Sequence, residues 1–290
     1  MSCLKINFYF AAYLVVMLIG LNCQKQERQL KSAEELVALR DSMDLVEQRK
    51  TGKNKAWGNS DISGFGKVIE FGETIFEDNF QNFDNWVHEG RGELTQPTPE
   101  IMQINCIGSA QGGVGCMAFC KPDFPNQICI EYDLRILTTN GLLINFIACQ
   151  GRQGEDMLAD LPPRKGVFAD YVFNSNLRSY HFSVSRYDDD GVHTGFSNWR
   201  RNPGLFLMAQ QPDLCKQPDK WYHIKIVKSG GFLKMTVNDQ LAGGFIDLEE
   251  IPDQIPGAGK LGFRAIGSNV IVQIKNFRVR KILEKEMKTQ

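Results

Sequence analysis

The densest set of side chains suited to chemistry lies between Arg178 and Gly204, RSYHFSVSRYDDDGVHTGFSNWRRNPG. Read as an extended strand, Tyr180, Phe182 and Val184 point one way, while Ser179, His181, Ser183, Ser185 and Tyr187 point the other. A half-buried antiparallel strand looks like this, and its polar side can simply meet water. Here the polar side carries an imidazole, hydroxyls and a phenol, and Asn198, Trp199, Arg200 and Arg201 follow after a turn. Donors, acceptors, an aromatic ring and fixed positive charge together suit a sheet face that grips a sugar. Arg200 and Arg201 are adjacent, so on an extended segment only one of them faces such a groove. Trp199 has the same choice between a sugar platform and the core.

Two reactions draw on these residue types. Glycoside hydrolysis needs two carboxylates flanking the scissile bond, ~5 to 10 Å apart. Glu155 and Asp156, in GRQGEDML beside Gln150, lie in a loop that can rim a groove, and they also read as plain loop charges. Glu131 and Asp133 share one face of IEYDLRI but lack a third acid, and they fit the charged coat of an outer sheet. Elimination on a uronate instead needs a cation against the carboxylate and a His or Tyr to move the neighbouring proton. His181, Tyr187, Arg200 and Arg201 supply those types, which suit simple sugar binding equally well. The catalytic candidates are therefore His181, Tyr187, Glu155 and Asp156. The ligand-binding candidates are Gln150, Ser183, Asn198, Trp199, Arg200 and Arg201.

No metal motif accompanies them. Cys116-x-x-x-Cys120 has no second close pair, and Asp188-Asp189-Asp190-Gly191 lacks the spaced ligands and distal glutamate of an EF-hand loop. The acidic run reads as a polar turn. No cofactor is required, and a structural calcium built from loops distant in sequence is left open. Gly-x-Ser-x-Gly is absent.

The elements that must position these residues are strands. Gln127 to Ile136 alternates, while Gly141 to Cys149 is more uniformly apolar, as in a central strand covered on both faces. Further strands are expected at Gly166 to Phe173, Leu205 to Gln210, Trp221 to Val227, Phe232 to Val237, Gly243 to Ile246, Lys260 to Ala265 and Val270 to Ile282. Asn238-Asp239 marks a hairpin between two of them. About a dozen short strands without intervening helices predict an all-β fold, a two-sheet antiparallel sandwich.

The 290 residues carry 33 basic against 34 acidic side chains, so no global field favours nucleic acid. At the N-terminus Lys5 precedes an apolar run from Ile6 to Leu21 that ends at Cys23, the layout of a secretory signal with a candidate lipidation cysteine. Residues 1–23 are read as that signal, 24–65 as a helical tether and linker, and 66–290 as the sandwich. The chain is thus expected outside the cytoplasm, periplasmic or on the cell surface, with a lipid anchor as its link to a membrane. Beyond Cys3 and Cys23 six cysteines remain. Exported chains can pair six, but strand-like surroundings favour buried thiols.

From about Phe76 to Ile282 the order GETIFEDNF, IEYDLRI, GLLINFIA, WYHIKIVKSGGFLKMTVNDQ and GKLGFRAIGSNVIVQIKNFRVRKI resembles a concanavalin A-like jelly roll. INFIACQGRQGED, YHFSVSR and SNWRRNPG together resemble the YesU-like family of sandwich proteins. That resemblance implies the concanavalin A-like lectin/glucanase fold. It also implies a poly- or oligosaccharide ligand within a polysaccharide-utilisation system, including pectic, uronate-containing glycans. It carries over no catalytic residue. Processing of that glycan by a hydrolase or lyase, non-catalytic glycan binding and a purely structural envelope role all remain open at this point.

Overall fold

A computed structural model describes residues 30–107, 113–173 and 176–287; the expected signal and Cys23 lie outside the described residues. The chain from Ser32 onward forms one compact unit. It opens with helix α1 (Ala33–Thr51), started by a capping box between Ser32 and Glu35 and ended by Gly52 at φ 71°. This helix, read from the sequence as a tether, is docked on the sandwich: Leu36 is fully buried, and Arg40 donates from Nη1 to the Gly204 carbonyl at 2.7 Å.

Sixteen strands follow in the described residues: β1 (Gly58–Asn59), β2 (Lys67–Asp78), β3 (Trp86–Gly90), β4 (Glu93–Thr95), β5 (Met102–Ile107), β6 (Cys116–Cys120), β7 (Ile128–Ile136) and β8 (Gly141–Gly151). After a short helix α2 (Ala169–Val172) come β9 (Leu177–Val184), β10 (Phe196–Asn202), β11 (Phe206–Pro212), β12 (Tyr222–Ser229), β13 (Phe232–Val237), β14 (Gln240–Asp247), β15 (Lys260–Gly267) and β16 (Asn269–Glu286). They make two antiparallel sheets, one of nine strands in the order β1-β14-β13-β12-β7-β16-β5-β4 with β2 also on β16, and one of seven, β11-β10-β9-β8-β15-β6-β3. The predicted hairpin is present, with Asn238 and Asp239 both at positive φ between β13 and β14. β8 is central and buried along nearly its whole length, as its uniform apolarity requires. Residues 166–173, expected as a strand, instead hold a single bridge at Val167 and α2.

Between the sheets lies the main core. Ile104, Ile130, Tyr132, Leu134, Ile224, Met235 and Val272 of one sheet meet Leu143, Ile147, Tyr180, Phe182, Trp199 and Phe263 of the other. Cys106, Cys116, Cys120, Cys129, Cys149 and Cys215 are all free and buried, so hydrophobic packing rather than cross-linking holds the domain. Glu131 and Asp133 lie on the nine-stranded sheet, as the sequence suggests. Glu131 is buried there between Arg278 and Arg280, while Asp133 binds His223 and Asn276.

The seven-stranded sheet has a second apolar layer on its outer face. Met117, Phe119, Ile144 and Phe146 of the sheet pack against Met157, Tyr171 and Val172 of the segment that links β8 to β9. Residues 152–173 therefore form a cover over part of that face. Each of the three fully buried side chains contributes about 1.5–3 kcal/mol by leaving water, which makes the cover part of the folded domain. Its polar anchor is Glu89: Arg164 donates to it twice, at 2.7 and 3.1 Å, and the Tyr171 hydroxyl donates at 2.5 Å. Gly166, at φ 77°, lies so close to β3 that a Cβ there would stand 2.4 Å from the Gly90 Cα, so this contact requires glycine.

Candidate functional site

The register of β9 with β10 settles which side chains share a face. Trp199 lies opposite Phe182, Arg200 opposite His181, Arg201 opposite Tyr180 and Asn202 opposite Ser179. Phe182 and Tyr180 are core residues, so Trp199 and Arg201 point inward. Trp199 is fully buried and stacks on Phe182 at 4.2 Å, which removes it as a sugar platform. Arg201 is 1% exposed, and its Nη1 donates to both Asp247 oxygens, at 2.9 and 3.1 Å. The Tyr180 hydroxyl donates to the same carboxylate at 2.7 Å, and Arg201 Nη2 to the Asp253 carbonyl at 2.6 Å. Arg201 is thus a core residue, with a buried charge matched by a buried carboxylate.

Arg200 has the opposite setting. On the outer face, half-buried, it donates from Nη1 to the Leu205 carbonyl at 2.8 Å, and no carboxylate of the described residues comes within ion-pair distance. Burial, followed by the nearby charges of Arg40 and Arg186, lowers its pKa to about 10, with Asp44 acting weakly against them. At neutral pH it stays charged. Against Arg200, Arg40 and Arg186 stand two acids, Asp44 and the Asp41 that pairs with Arg40, so a single positive charge remains in excess around a guanidinium that has hydrogen-bonding capacity to spare. Beside it Asn198 accepts from Gln210 Nε2 at 3.0 Å through Oδ1, and its backbone N–H reaches the Ser183 hydroxyl at 3.5 Å.

His181 also lies on this face, but beneath the cover. Phe146 and Phe168 stand 5.2 and 5.7 Å from its ring, and it is 4% exposed. Burial, then the positive charges of Arg200 and Arg264, hold its pKa well below the ordinary imidazole range, so it is neutral. The Asn202 side-chain amide donates to Nδ1 at 2.8 Å, which places the ring proton on Nε2. A neutral imidazole sealed by two rings holds the cover and sheet together and is closed to a sugar.

Tyr187 departs from the expected alternation. Ser185 takes φ 52° and donates from its hydroxyl to the Cys215 carbonyl, so the chain turns at the end of β9 and Tyr187 enters the main core. Its hydroxyl donates to the Lys216 carbonyl at 2.9 Å, and burial pushes its pKa up to about 12. Both acidic candidates serve their own loop. Glu155 folds back on Gly151 and accepts from the Gln153 amide at 2.9 Å. Asp156 accepts from the Leu158 and Ala159 amides and pairs with Lys260 at 2.8 Å. Gln150 donates to the Gly154 carbonyl at 3.4 Å in the same loop. Asp188 closes its turn by accepting from the amides of Asp190 and Val192. Among the described residues no three His, Cys, Asp or Glu side chains gather to hold a metal ion.

The structure therefore brings together Ser183, Asn198 and Arg200, joins Gln210 and Arg186 to them, and scatters the four catalytic candidates. Arg40 and Arg186 escape notice in the sequence because they reach Arg200 only through the docking of α1 and the turn after β9. The apolar run in the 152–173 segment is the one signal that could have revealed the cover.

A family model described as "Domain of unknown function (DUF1961)" matches residues 74–279. "Uncharacterized protein YesU" of Bacillus subtilis (strain 168) is 24% identical over 186 residues, 62% of this chain and 82% of the relative. A crystal structure of a protein of unknown function with galectin-like fold, also from Bacillus subtilis, superposes with TM-score 0.68 at 21% identity. That match covers 75% of this chain and all of the other. A looser match, TM-score 0.43 at 14% identity over 68% of this chain and 96% of the other, is to the carbohydrate binding module CBM66 from the same species. The fold is therefore the galectin- or concanavalin A-like sandwich that the strand order resembles.

Proposed function

The chain belongs to the DUF1961 family, and within that frame we propose that it binds a carboxylate-bearing oligo- or polysaccharide, a uronate-containing glycan of the pectic kind, on the outer face of its seven-stranded sheet. The observation that carries the reading is Arg200: a half-buried guanidinium without a carboxylate partner among the described residues, near Arg186, Asp44 and the Arg40–Asp41 ion pair. Removing a cation partly from water is costly, and a bound carboxylate offsets that cost with charge-assisted, bidentate hydrogen bonds. Ser183, Asn198 and Gln210 supply the neutral donors and acceptors that sugar hydroxyls need.

The reading is of binding rather than turnover. His181 is covered, Tyr187 is committed to the core, and Glu155 and Asp156 are engaged within their own loop. The apolar run that precedes Cys23 supports export of the chain and a lipid anchor on this cysteine. Radiolabelled palmitate should enter the wild-type chain in a bacterial host and be absent from Cys23→Ser.

Calorimetric titration with neutral and uronate-containing glycans tests the binding reading. Binding to the uronates, weakened ten- to a hundredfold in Arg200→Ala, is expected, because a hydrogen bond to a charged group contributes about 1.5–3 kcal/mol. No new reducing ends and no ultraviolet absorbance of unsaturated products should appear. Equal affinity for neutral and acidic glycans, or an unaffected Arg200→Ala, would overturn it.

A further inference from the structure

We infer that the site around Arg200 takes the end of a glycan chain and is closed to chain interiors; this rests on the carbohydrate-binding reading above. An interior segment must enter a groove and leave it, so the groove has to be open at both ends. Here one end is walled off. Where β10 turns into β11, the Gly204 amide donates to the Val172 carbonyl of the cover at 2.7 Å, and the Gly204 carbonyl accepts from Arg40 of α1 at 2.7 Å. The Arg40 guanidinium also lies 5.6 Å from the Phe173 ring. Cover, hairpin turn and N-terminal helix thus meet at one junction, immediately beyond Arg200 and Asn202.

The flank toward β8 and β15 is closed as well. Phe168 stands over both His181 and the Arg264 guanidinium, the latter at 4.7 Å, so a sugar on Arg200 cannot extend across the sheet in that direction. Toward β11 stands α1 itself, whose Arg40 and Asp44 are near enough to act on the Arg200 charge. None of these walls is a loose flap. Val172 of the cover and Leu36 of α1 are fully buried, and Glu89 holds the cover through Arg164 and Tyr171. The direction left is along β10 away from the wall, past Asn198 to Phe196, where Arg186 lies over the Phe196 ring at 4.9 Å.

The strand rise of ~3.4 Å per residue sets Asn198 about 7 Å from Arg200, room for roughly one sugar ring between the closed end and the first neutral contact. The terminal uronosyl residue places its carboxylate on Arg200 and its hydroxyls against Asn198, Ser183 and Gln210. The rest of the chain leaves past Phe196 and Arg186. A blind end of this kind discriminates by exclusion: an interior segment meets the cover and cannot be accommodated without breaking buried contacts.

The test is calorimetric titration of the full chain with a dimer, a tetramer and a long polymer of one uronosyl residue, and with neutral glycans of the same lengths, quantified by moles of glycan chain. One protein per chain at every length, with affinity level from tetramer to polymer and reduced at least tenfold in Arg200→Ala at each length, is the expected result. Several proteins per long chain would overturn chain-end recognition and leave glycan binding intact. Binding to neutral glycans alone would overturn the uronate assignment and, with it, this inference. Silence with every glycan would remove both readings.

Discussion

Replacing Arg200 and Arg201 separately by alanine gives two opposite results if β9 and β10 are paired as described. Arg201→Ala removes a guanidinium that is 1% exposed and leaves Asp247, 6% exposed, without its cation. Breaking a buried ion pair from one side costs about 3–5 kcal/mol. The Tyr180 hydroxyl and the Glu249 amide still donate to Asp247, so the lower end, about 3 kcal/mol, is expected. With a urea m-value near the top of the usual range, about 3 kcal/mol/M for a domain of this size, the unfolding midpoint should fall by about 1 M. Arg200→Ala loses one hydrogen bond to a carbonyl, about 1 kcal/mol, and at the same time relieves a half-buried cation of its burial and of repulsion from Arg40 and Arg186. Its midpoint should stay within about 0.3 M of wild type, since the net change is within about 1 kcal/mol. Urea titrations followed by tryptophan fluorescence read both variants directly. Equal destabilisation, or a neutral Arg201→Ala, would refute the assignment of the two arginines to opposite faces and remove the basis of the binding site.

Three further outcomes follow from the same structure. His181→Ala should lower stability by about 2–4 kcal/mol, because the ring fills space between Phe146 and Phe168, and glycan affinity of the folded fraction should change less than threefold; denaturation and calorimetry on one preparation decide it. Glu89→Gln should loosen the cover by leaving the Arg164 charge without its acid, so limited proteolysis within residues 152–173 should speed up while the rest of the domain resists. Lys228, fully buried with Asn126 and Gly230 as its hydrogen-bond acceptors, has its pKa lowered by burial to about 7. Between about pH 7 and the ordinary lysine range the unfolded chain then binds more protons than the folded one, so this group makes stability rise with pH across that window and contributes its full penalty below it. Lys228→Met should therefore stabilise most at and below pH 7, with the gain shrinking toward pH 10 in urea midpoints.

The sequence by itself determined the local pattern. The alternation in Gln127 to Ile136, the mostly apolar run of β8, the Asn238-Asp239 turn and the two faces of Tyr180 to Val184 are all short-range facts, since side-chain direction in a strand repeats every two residues. Adjacency alone also fixed that Arg200 and Arg201 oppose each other; which one faces outward had to wait for the pairing with β9. Only the tertiary structure decided the rest. Tyr187 left its predicted face because Ser185 adopts a left-handed conformation, held by a carbonyl thirty residues away. His181 lost its access because the cover, an irregular segment with no periodicity to read, packs its own apolar side chains on the sheet and ties Arg164 to Glu89 across seventy-five residues. Arg200 gained its charged neighbours Arg40 and Asp44 from α1, whose thin apolar stripe reads equally as a free tether and as a docked helix. Periodicity shows which way a side chain points, whereas burial and charge at that point depend on contacts between segments far apart in sequence.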